Sequence, residues 1–221
     1  MLEVTSMTTV YLVRHGESTA NVAHICAGSI DVALTKRGRL QAEKLADYLS
    51  DKNIDAIYSS DSKRAHNTVQ PTADRKGLTI TATPLLREAF TGVWEGMFTS
   101  DIIETYSEEW TYWKEMHGDS RAPGGESRDE VRDRMYEAIS KIAEKNDGKT
   151  ILIASHAIAI RSFMGPVFNK TQEEGYRDLP VIKNAALSIF TYENGIFTPV
   201  EWAISHYLDD LETEVVNVNQ T

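Results

Sequence analysis

Val10-Tyr11-Leu12-Val13-Arg14-His15-Gly16-Glu17 decides how the rest of the chain is read. A short apolar run that stops at once on charge and glycine has the length of a buried strand rather than of a helix. Similar bursts recur at Ala56-Ile57-Tyr58, Leu78-Thr79-Ile80 and Ile151-Leu152-Ile153-Ala154, and these also read as buried parallel strands. Helical patterns lie between them: Thr35 to Ser50, with Leu40, Leu45, Ala46 and Leu49 on one face, and Ser62 to Ala73. Strand alternating with helix implies βαβ units. The fold class expected is therefore α/β, a three-layer α/β/α sandwich with a mostly parallel central sheet.

Three further segments complete the outline. From about 90 to 125 the alternation breaks, and Trp94, Phe98, Tyr106, Trp110, Tyr112 and Trp113 crowd among Glu and Gly. This is read as a small inserted helical cap, the alternative being a satellite apolar cluster under a long loop. After Pro123-Gly124-Gly125, a long helix is expected from Ser127 to Asn146, burying Val131, Met135, Ala138, Ile139 and Ile142. Ala185 to Tyr192 and Ile196 to Trp202 flank Glu193-Asn194-Gly195, a hairpin pattern. The whole of residues 1–221 is read as one domain carrying the cap, and the residues ahead of Met7 as a disordered lead-in or an upstream start.

Composition narrows the function classes. The 221 residues are 41% hydrophobic and 25% charged, typical of a folded soluble chain. With 23 Lys+Arg against 33 Asp+Glu the formal net charge is -10, which argues against nucleic acid or an anionic membrane as partner. Any anionic ligand must be captured locally. Cys26 is the chain's one cysteine, so no internal disulfide forms, and no His or Cys spacing suggests a metal site. A cytoplasmic setting is expected, with no stretch long enough to span a bilayer and no basic region followed by an apolar run at the N-terminus.

Polar clusters follow three of the strands directly: Arg14-His15-Gly16, Ser59-Ser60-Asp61 and Ser155-His156. Parallel strands bring all three to one end of the sheet, where such folds bind ligands. Arg14, His15, Arg64 and His156 would then converge as two guanidiniums and two imidazoles, an oxyanion site in which Arg donates a planar fork that cannot lose its charge. Backbone N–H groups at a helix start near Ser18 would add to it. A histidine after a strand is also often a packed or hydrogen-bonded residue, and for His15 alone that reading stays open. Glu17 reads as a loop anchor rather than a base, and Ser18 as a helix-start residue. Ser60 is left between phosphate and turn, while His24, His66, His117 and His206 read as solvated or packed, with His117 and Arg121 kept as distal substrate contacts.

Leu12-Val13-Arg14-His15-Gly16-Glu17-Ser18 with Asn21 resembles the opening of the histidine phosphatase superfamily, which includes phosphoglycerate mutases. Leu34-Thr35 with Gly38, Gln41 and Ala42, Ser59-Ser60 with Arg64-Ala65, Leu86-Arg87-Glu88 with Gly92, Trp94, Glu95 and Gly96, Pro123 to Ser127, and Ser155-His156 follow in the family's order. The resemblance spans about residues 8 to 206. It implies His15 as nucleophile and Glu88 as proton donor, with Arg14, Asn21, Arg64, His156 and the backbone N–H of Ala157 on the phosphoryl oxygens. Ala157 stands where the family commonly has Gly, a change tolerated in ordinary helical backbone and strained at positive φ.

The activity implied is hydrolysis of a small-molecule phosphomonoester through phosphohistidine, with no cofactor and no metal. A cofactor-dependent phosphoglycerate mutase is the alternative. Between Glu88 and Pro123 the basic residues are Lys114 and Arg121, with His117 undecided, too few for the basic insertion expected of a mutase. A non-catalytic phospho-ligand module is the third reading, and it would usually lack a key residue. A homodimer through the sheet edge or helices is compatible with the sequence, with no decisive patch.

Overall fold

The structure is a computed structural model and describes residues 6–115 and 117–212. All but the last residue of the stretch ahead of Met7 thus lies outside the described residues. Six strands run in chain order: β1 (Thr8–Arg14), β2 (Ala56–Ser60), β3 (Ile80–Thr83), β4 (Thr150–Ser155), β5 (Leu187–Glu193) and β6 (Ile196–Ile204). The helices are α1 (Thr19–Ala23), α2 (Lys36–Tyr48), α3 (Lys63–Lys76), α4 (Thr99–Thr105), α5 (Ser107–Lys114), α6 (Arg128–Lys145), α7 (Ala157–Val167), α8 (Gln172–Asp178) and α9 (Asp209–Glu212). The strands form one sheet in the order β3-β2-β4-β1-β5-β6. β1 pairs parallel with β4, and β2 parallel with both β4 and β3; β5 runs antiparallel to β1 and to β6. The mostly parallel sheet expected from the sequence is therefore found, with β5 as the reversed strand.

Alternation along the central strands explains the layers. Val10, Leu12, Ile151 and Ile153 pack with Met135, Ile139, Phe163 and Met164 of α6 and α7. Their neighbours Val13, Leu152 and Ala154 pack with Leu45, Leu49, Ala65 and Val69 on the α2 and α3 side. Helices thus cover both faces, and the middles of β1 and β4 are runs of apolar residues because both of their faces are packed.

The long helix starts on Ser127, whose side chain accepts from Glu130 N–H while Glu130 reaches back to the Ser127 N–H, a capping box. Val131, Met135, Ala138 and Ile139 are buried as expected, and Ile142 packs partly buried against the same core. The hairpin turns on Asn194 (φ 51°) and Gly195 (φ 80°), both in the left-handed region that a tight two-residue turn requires.

Two expectations need correction. Leu78-Thr79-Ile80 is not a buried strand: β3 begins at Ile80 and lies at the sheet edge with partly exposed residues. Leu40 does not join the buried face of α2, being 44% exposed; Gly38, Gln41 and Ala42 fill that face with Leu45 and Ala46. In the aromatic segment, Trp94 and Trp113 are buried with Ile102 and Ala122, and Tyr106 and Trp110 pack partly against them. Phe98 and Tyr112 are exposed. The segment thus has short helices and its own small core, combining features of both alternatives.

Candidate active site

β1 and β4 are neighbours whose onward connections depart to opposite sides, β1 toward β2 and β4 toward β5. That makes their carboxyl ends a topological switch point, the usual ligand crevice of such sheets. Arg14 pairs with Ser155 in register, and the His15 N–H donates to the Ser155 carbonyl at 2.9 Å, so His15 and His156 leave the sheet side by side. Their ring centroids are 5.2 Å apart.

His15 is 4% exposed. Its Nδ1 lies 2.7 Å from the Gly16 carbonyl oxygen, which can only accept, so Nδ1 carries the ring proton and Nε2 keeps its lone pair. Burial pushes the imidazole well below its ordinary 6.5, and the Arg14 and Arg64 guanidiniums add to the effect. The Gly16 N–H donates to Thr68 Oγ1 at 2.8 Å, fixing the turn. A Cβ on Gly16 would come within 2.7 Å of the Gly38 carbonyl oxygen, so the close approach of loop and α2 requires glycine there. Glu17 accepts from Thr35 Oγ1 at 2.6 Å and pairs with Arg37 at 3.2 Å, the contacts of a loop anchor.

Arg64 is 2% exposed on the first turn of α3. It donates to the Ile30 and Gly28 carbonyls, each at 2.7 Å, and through Nε to His156 Nδ1 at 3.2 Å. His156 Nδ1 is therefore an acceptor and its proton sits on Nε2, 3.4 Å from Ser62 Oγ. Burial, then Arg64, His15, Arg14 and Arg134, hold His156 well below its ordinary value, so both imidazoles are neutral. Arg14 donates through Nη1 to Ile182 O at 2.6 Å, while its Nε is buried without a partner among the described residues. An orphaned guanidinium N–H in a cavity wall suits an oxyanion.

Asn21 is oriented by the donors around it. Its Oδ1 accepts from the Ser18 N–H and Ser18 Oγ at 3.0 Å each and from Asn184 Nδ2 at 3.1 Å, which leaves the amide Nδ2 as the free end. Glu88 sits at the start of α7: Oε1 accepts from Ala89 N–H at 3.0 Å and Ala159 N–H at 2.9 Å, and Oε2 from Ile158 N–H at 3.2 Å. Ala157 is the first residue of α7 and is absent from the positive-φ residues, so its methyl group sits in ordinary helical backbone.

A cavity of about 150 Å³ joins these groups, with Arg14, His15, Asn21, Arg64, Glu88 and Ala157 on its wall. His156 lies one layer behind. Larger concavities exist, such as one of about 460 Å³ beside Tyr136, Pro166 and Gln172, but none of the sequence-derived site residues lines it. His117 instead contacts Glu173 at 2.5 Å and Glu115 at 3.2 Å, and Arg121 pairs with Glu130 at 3.3 Å; neither lines the 150 Å³ cavity. Ser60 accepts from the Ser62 N–H at 3.3 Å, a turn contact.

Comparison with known proteins agrees with this geometry: the sequence profile of the histidine phosphatase superfamily (branch 1) matches residues 10–205. The chain belongs to the histidine phosphatase superfamily. It is 32% identical over 156 residues to phosphoserine phosphatase 1 of Hydrogenobacter thermophilus, covering 71% of this chain and 74% of that one. It is 37% identical over 164 residues to the probable phosphoglycerate mutase GpmB of Serratia proteamaculans, covering 73% and 75%. Among solved structures, Bacillus stearothermophilus YhfR superposes with a TM-score of 0.86 at 27% identity, over 90% of this chain and 99% of that one. As a histidine phosphatase the chain is an enzyme of phosphomonoester hydrolysis, and the fold expected from its sequence is that of its relatives.

Sequence reading missed several groups that hold the site: Thr68 under Gly16, the Gly28 and Ile30 carbonyls on Arg64, and Asn184, whose Nδ2 also donates to the His15 carbonyl at 3.1 Å. A polar residue three positions before β5 was the available signal for Asn184.

Proposed function

We propose that this histidine phosphatase hydrolyses a small phosphomonoester by passing the phosphoryl group through Nε2 of His15. The observation that carries the reading is the Nδ1 bond to the Gly16 carbonyl, which aims the Nε2 lone pair from a neutral imidazole held between two arginines. In the first step Nε2 attacks phosphorus and the P–O bond to the alcohol breaks. Arg14, Arg64, the Asn21 amide and the Ala157 N–H hold the equatorial oxygens, and His156, behind the wall, orients Arg64 by accepting from its Nε. Glu88, through Oε2, gives its proton to the departing alkoxide. Water then attacks the phosphohistidine, Glu88 takes a proton back, and inorganic phosphate leaves. The charge balance is met by the arginines, so no metal ion is part of the scheme.

The short helices of the aromatic segment act as the cap in this reading, since Cys26 and Ile158 belong both to their core and to the cavity wall. The cations on that wall are Arg14 and Arg64, both assigned to the phosphoryl group, which favours transfer to water over the gripping of a phosphoglycerate carboxylate. A cytoplasmic setting and one continuous domain belong to the same proposal, resting on Cys26 as the one cysteine and on the continuous family match. No helix of the described residues is long and apolar enough to cross a membrane.

The test is rapid-quench labelling with a ³²P-phosphomonoester in EDTA. Wild-type enzyme is expected to accumulate acid-labile, base-stable phosphate on His15 and to be inhibited by vanadate, while His15→Ala folds, takes no label and turns over at under about 1% of wild type. Rapid label in the His15→Ala protein, or loss of wild-type activity on chelation, would refute the scheme.

A further inference from the structure

The phosphoryl-binding groups and Glu88 make up part of the cavity wall, which leaves the remainder of the wall for the leaving alcohol. That remainder, which includes Ala20, Ile25, Cys26, Ala27, Thr91 and Ile158, is uncharged throughout. We propose that the cavity selects phosphomonoesters whose leaving alcohol carries no negative charge and turns away those bearing a carboxylate or second phosphate. The proposal rests on the phosphatase reading above and adds the substrate class to it.

The cations of the cavity, Arg14 and Arg64, are taken up by the phosphoryl group, and the other charges near its wall are carboxylates. Asp31, Glu88 and Glu95 are the carboxylates whose charge reaches the Arg64 guanidinium, and Glu88 and Glu95 also act on the buried Cys26 thiol. Glu95 is fixed there by accepting from the Ser29 N–H at 2.7 Å and Ser29 Oγ at 2.8 Å. Three cations outside the phosphoryl site are already paired: Lys63 with Asp31 at 3.1 Å, Arg87 with Asp61 at 2.6 Å and Arg121 with Glu130 at 3.3 Å. A carboxylate on the leaving alcohol would thus leave water for an uncharged wall, lose hydration without gaining a counter-charge of its own, and face the fixed Glu95 carboxylate. A neutral hydroxyl can bond Thr91 Oγ1 or water at the mouth and meets none of these costs.

sn-Glycerol 3-phosphate and 3-phosphoglycerate isolate the effect, because they differ by a hydroxymethyl group in place of a carboxylate. One unopposed like charge about 10 Å away at an effective dielectric of about 20 corresponds to roughly a tenfold loss. The expected result is a kcat/KM for glycerol 3-phosphate about tenfold or more above that for 3-phosphoglycerate, a ratio that shrinks as salt is added. Ile25→Lys, which places a cation on the wall, should raise the relative kcat/KM for 3-phosphoglycerate. Equal or faster use of 3-phosphoglycerate by the wild type, with His15 still labelled, would overturn the substrate class while leaving the phosphatase reading in place. A preference insensitive to both salt and Ile25→Lys would assign the selection to shape and overturn it likewise. No labelling of His15 by either ester would refute the phosphatase reading and this one with it.

Discussion

Asn184→Ala tests whether a residue outside the cavity wall sets the direction of one inside it. The Asn184 amide donates from Nδ2 to Asn21 Oδ1 and to the His15 carbonyl, 3.1 Å in each case. Neither acceptor is orphaned by the change, because Asn21 Oδ1 keeps the Ser18 donors and the His15 carbonyl keeps the Ala185 N–H at 3.1 Å. Losing two neutral hydrogen bonds costs about 1–3 kcal/mol of stability, and the fold should survive. The catalytic effect runs through orientation: one of three donors that hold Asn21 Oδ1 away from the cavity is lost, weakening by about 1 kcal/mol the bias that keeps Nδ2 facing the phosphoryl group. A roughly fivefold to tenfold fall in kcat and in vanadate affinity is expected. A double-mutant cycle with Asn21→Ala separates this from general loosening. In the Asn21→Ala background, where no amide is left to orient, Asn184→Ala should cost less than about twofold. The same loss in both backgrounds would refute the positioning role.

Two further outcomes follow from the geometry. His15 and His156 are neutral in the fold but take up protons near 6.5 when unfolded, so the unfolded chain binds more protons below that pH. Stability is thus full above about 6.5 and should fall with acidification by up to about 1.4 kcal/mol per pH unit per histidine, measured as urea midpoints; a flat profile from pH 7 to 5 would contradict the buried neutral assignment. Glu88→Gln should slow phosphorylation of His15 by an alkyl phosphate roughly 10²-fold more than by p-nitrophenyl phosphate, whose phenolate leaves without a proton. Equal losses in that isolated step would remove Glu88 as the acid; Glu95, already committed to Ser29, is a weak substitute.

Much of the fold was legible because its signals are local. The Ser127 and Glu130 capping box and the apolar face behind it define α6 without tertiary help, and Asn194-Gly195 supplies the left-handed turn of the hairpin. Other elements were hidden for physical reasons. α7 carries Gly165 and Pro166 near its end, residues that count against a helix, and it is apolar on most sides because it packs against α6, α8 and the sheet, so no polar face marks its period. α8 has seven residues, too few for a periodicity to emerge. Leu40 shows the opposite error: at 100° per residue it lies on the far side of α2 from Leu45, Ala46 and Leu49, whereas Gly38, Gln41 and Ala42 fall in phase with them and take the inward positions.

At the site the same division recurs. Arg14, His15 and His156 could be placed from strand ends alone, since parallel pairing carries them to one edge. The groups that orient them come from far along the chain: Thr68 from 52 residues beyond Gly16, and Asn184 from 169 residues beyond His15. No local pattern encodes such contacts, because they exist only once α3 has packed on the sheet and β5 has paired with β1. Glu88 lies between these cases. Family resemblance marks it, but nothing in Leu86-Arg87-Glu88 foretells that its carboxylate accepts the Ile158 and Ala159 N–H groups. Those bonds tie the proposed acid to the start of α7, immediately after His156, and so fix its distance from the histidine pair. They also give the carboxylate a structural task, satisfying donors that a helix start leaves open. Replacing it with an amide sets an NH2 group against one of those N–H donors and loosens α7 whatever the chemistry. Total loss of activity in Glu88→Gln would therefore fit a helix cap as well as an acid. The dependence on the leaving group separates them, because a displaced helix slows every ester alike, whereas a missing proton slows those whose alkoxide needs it.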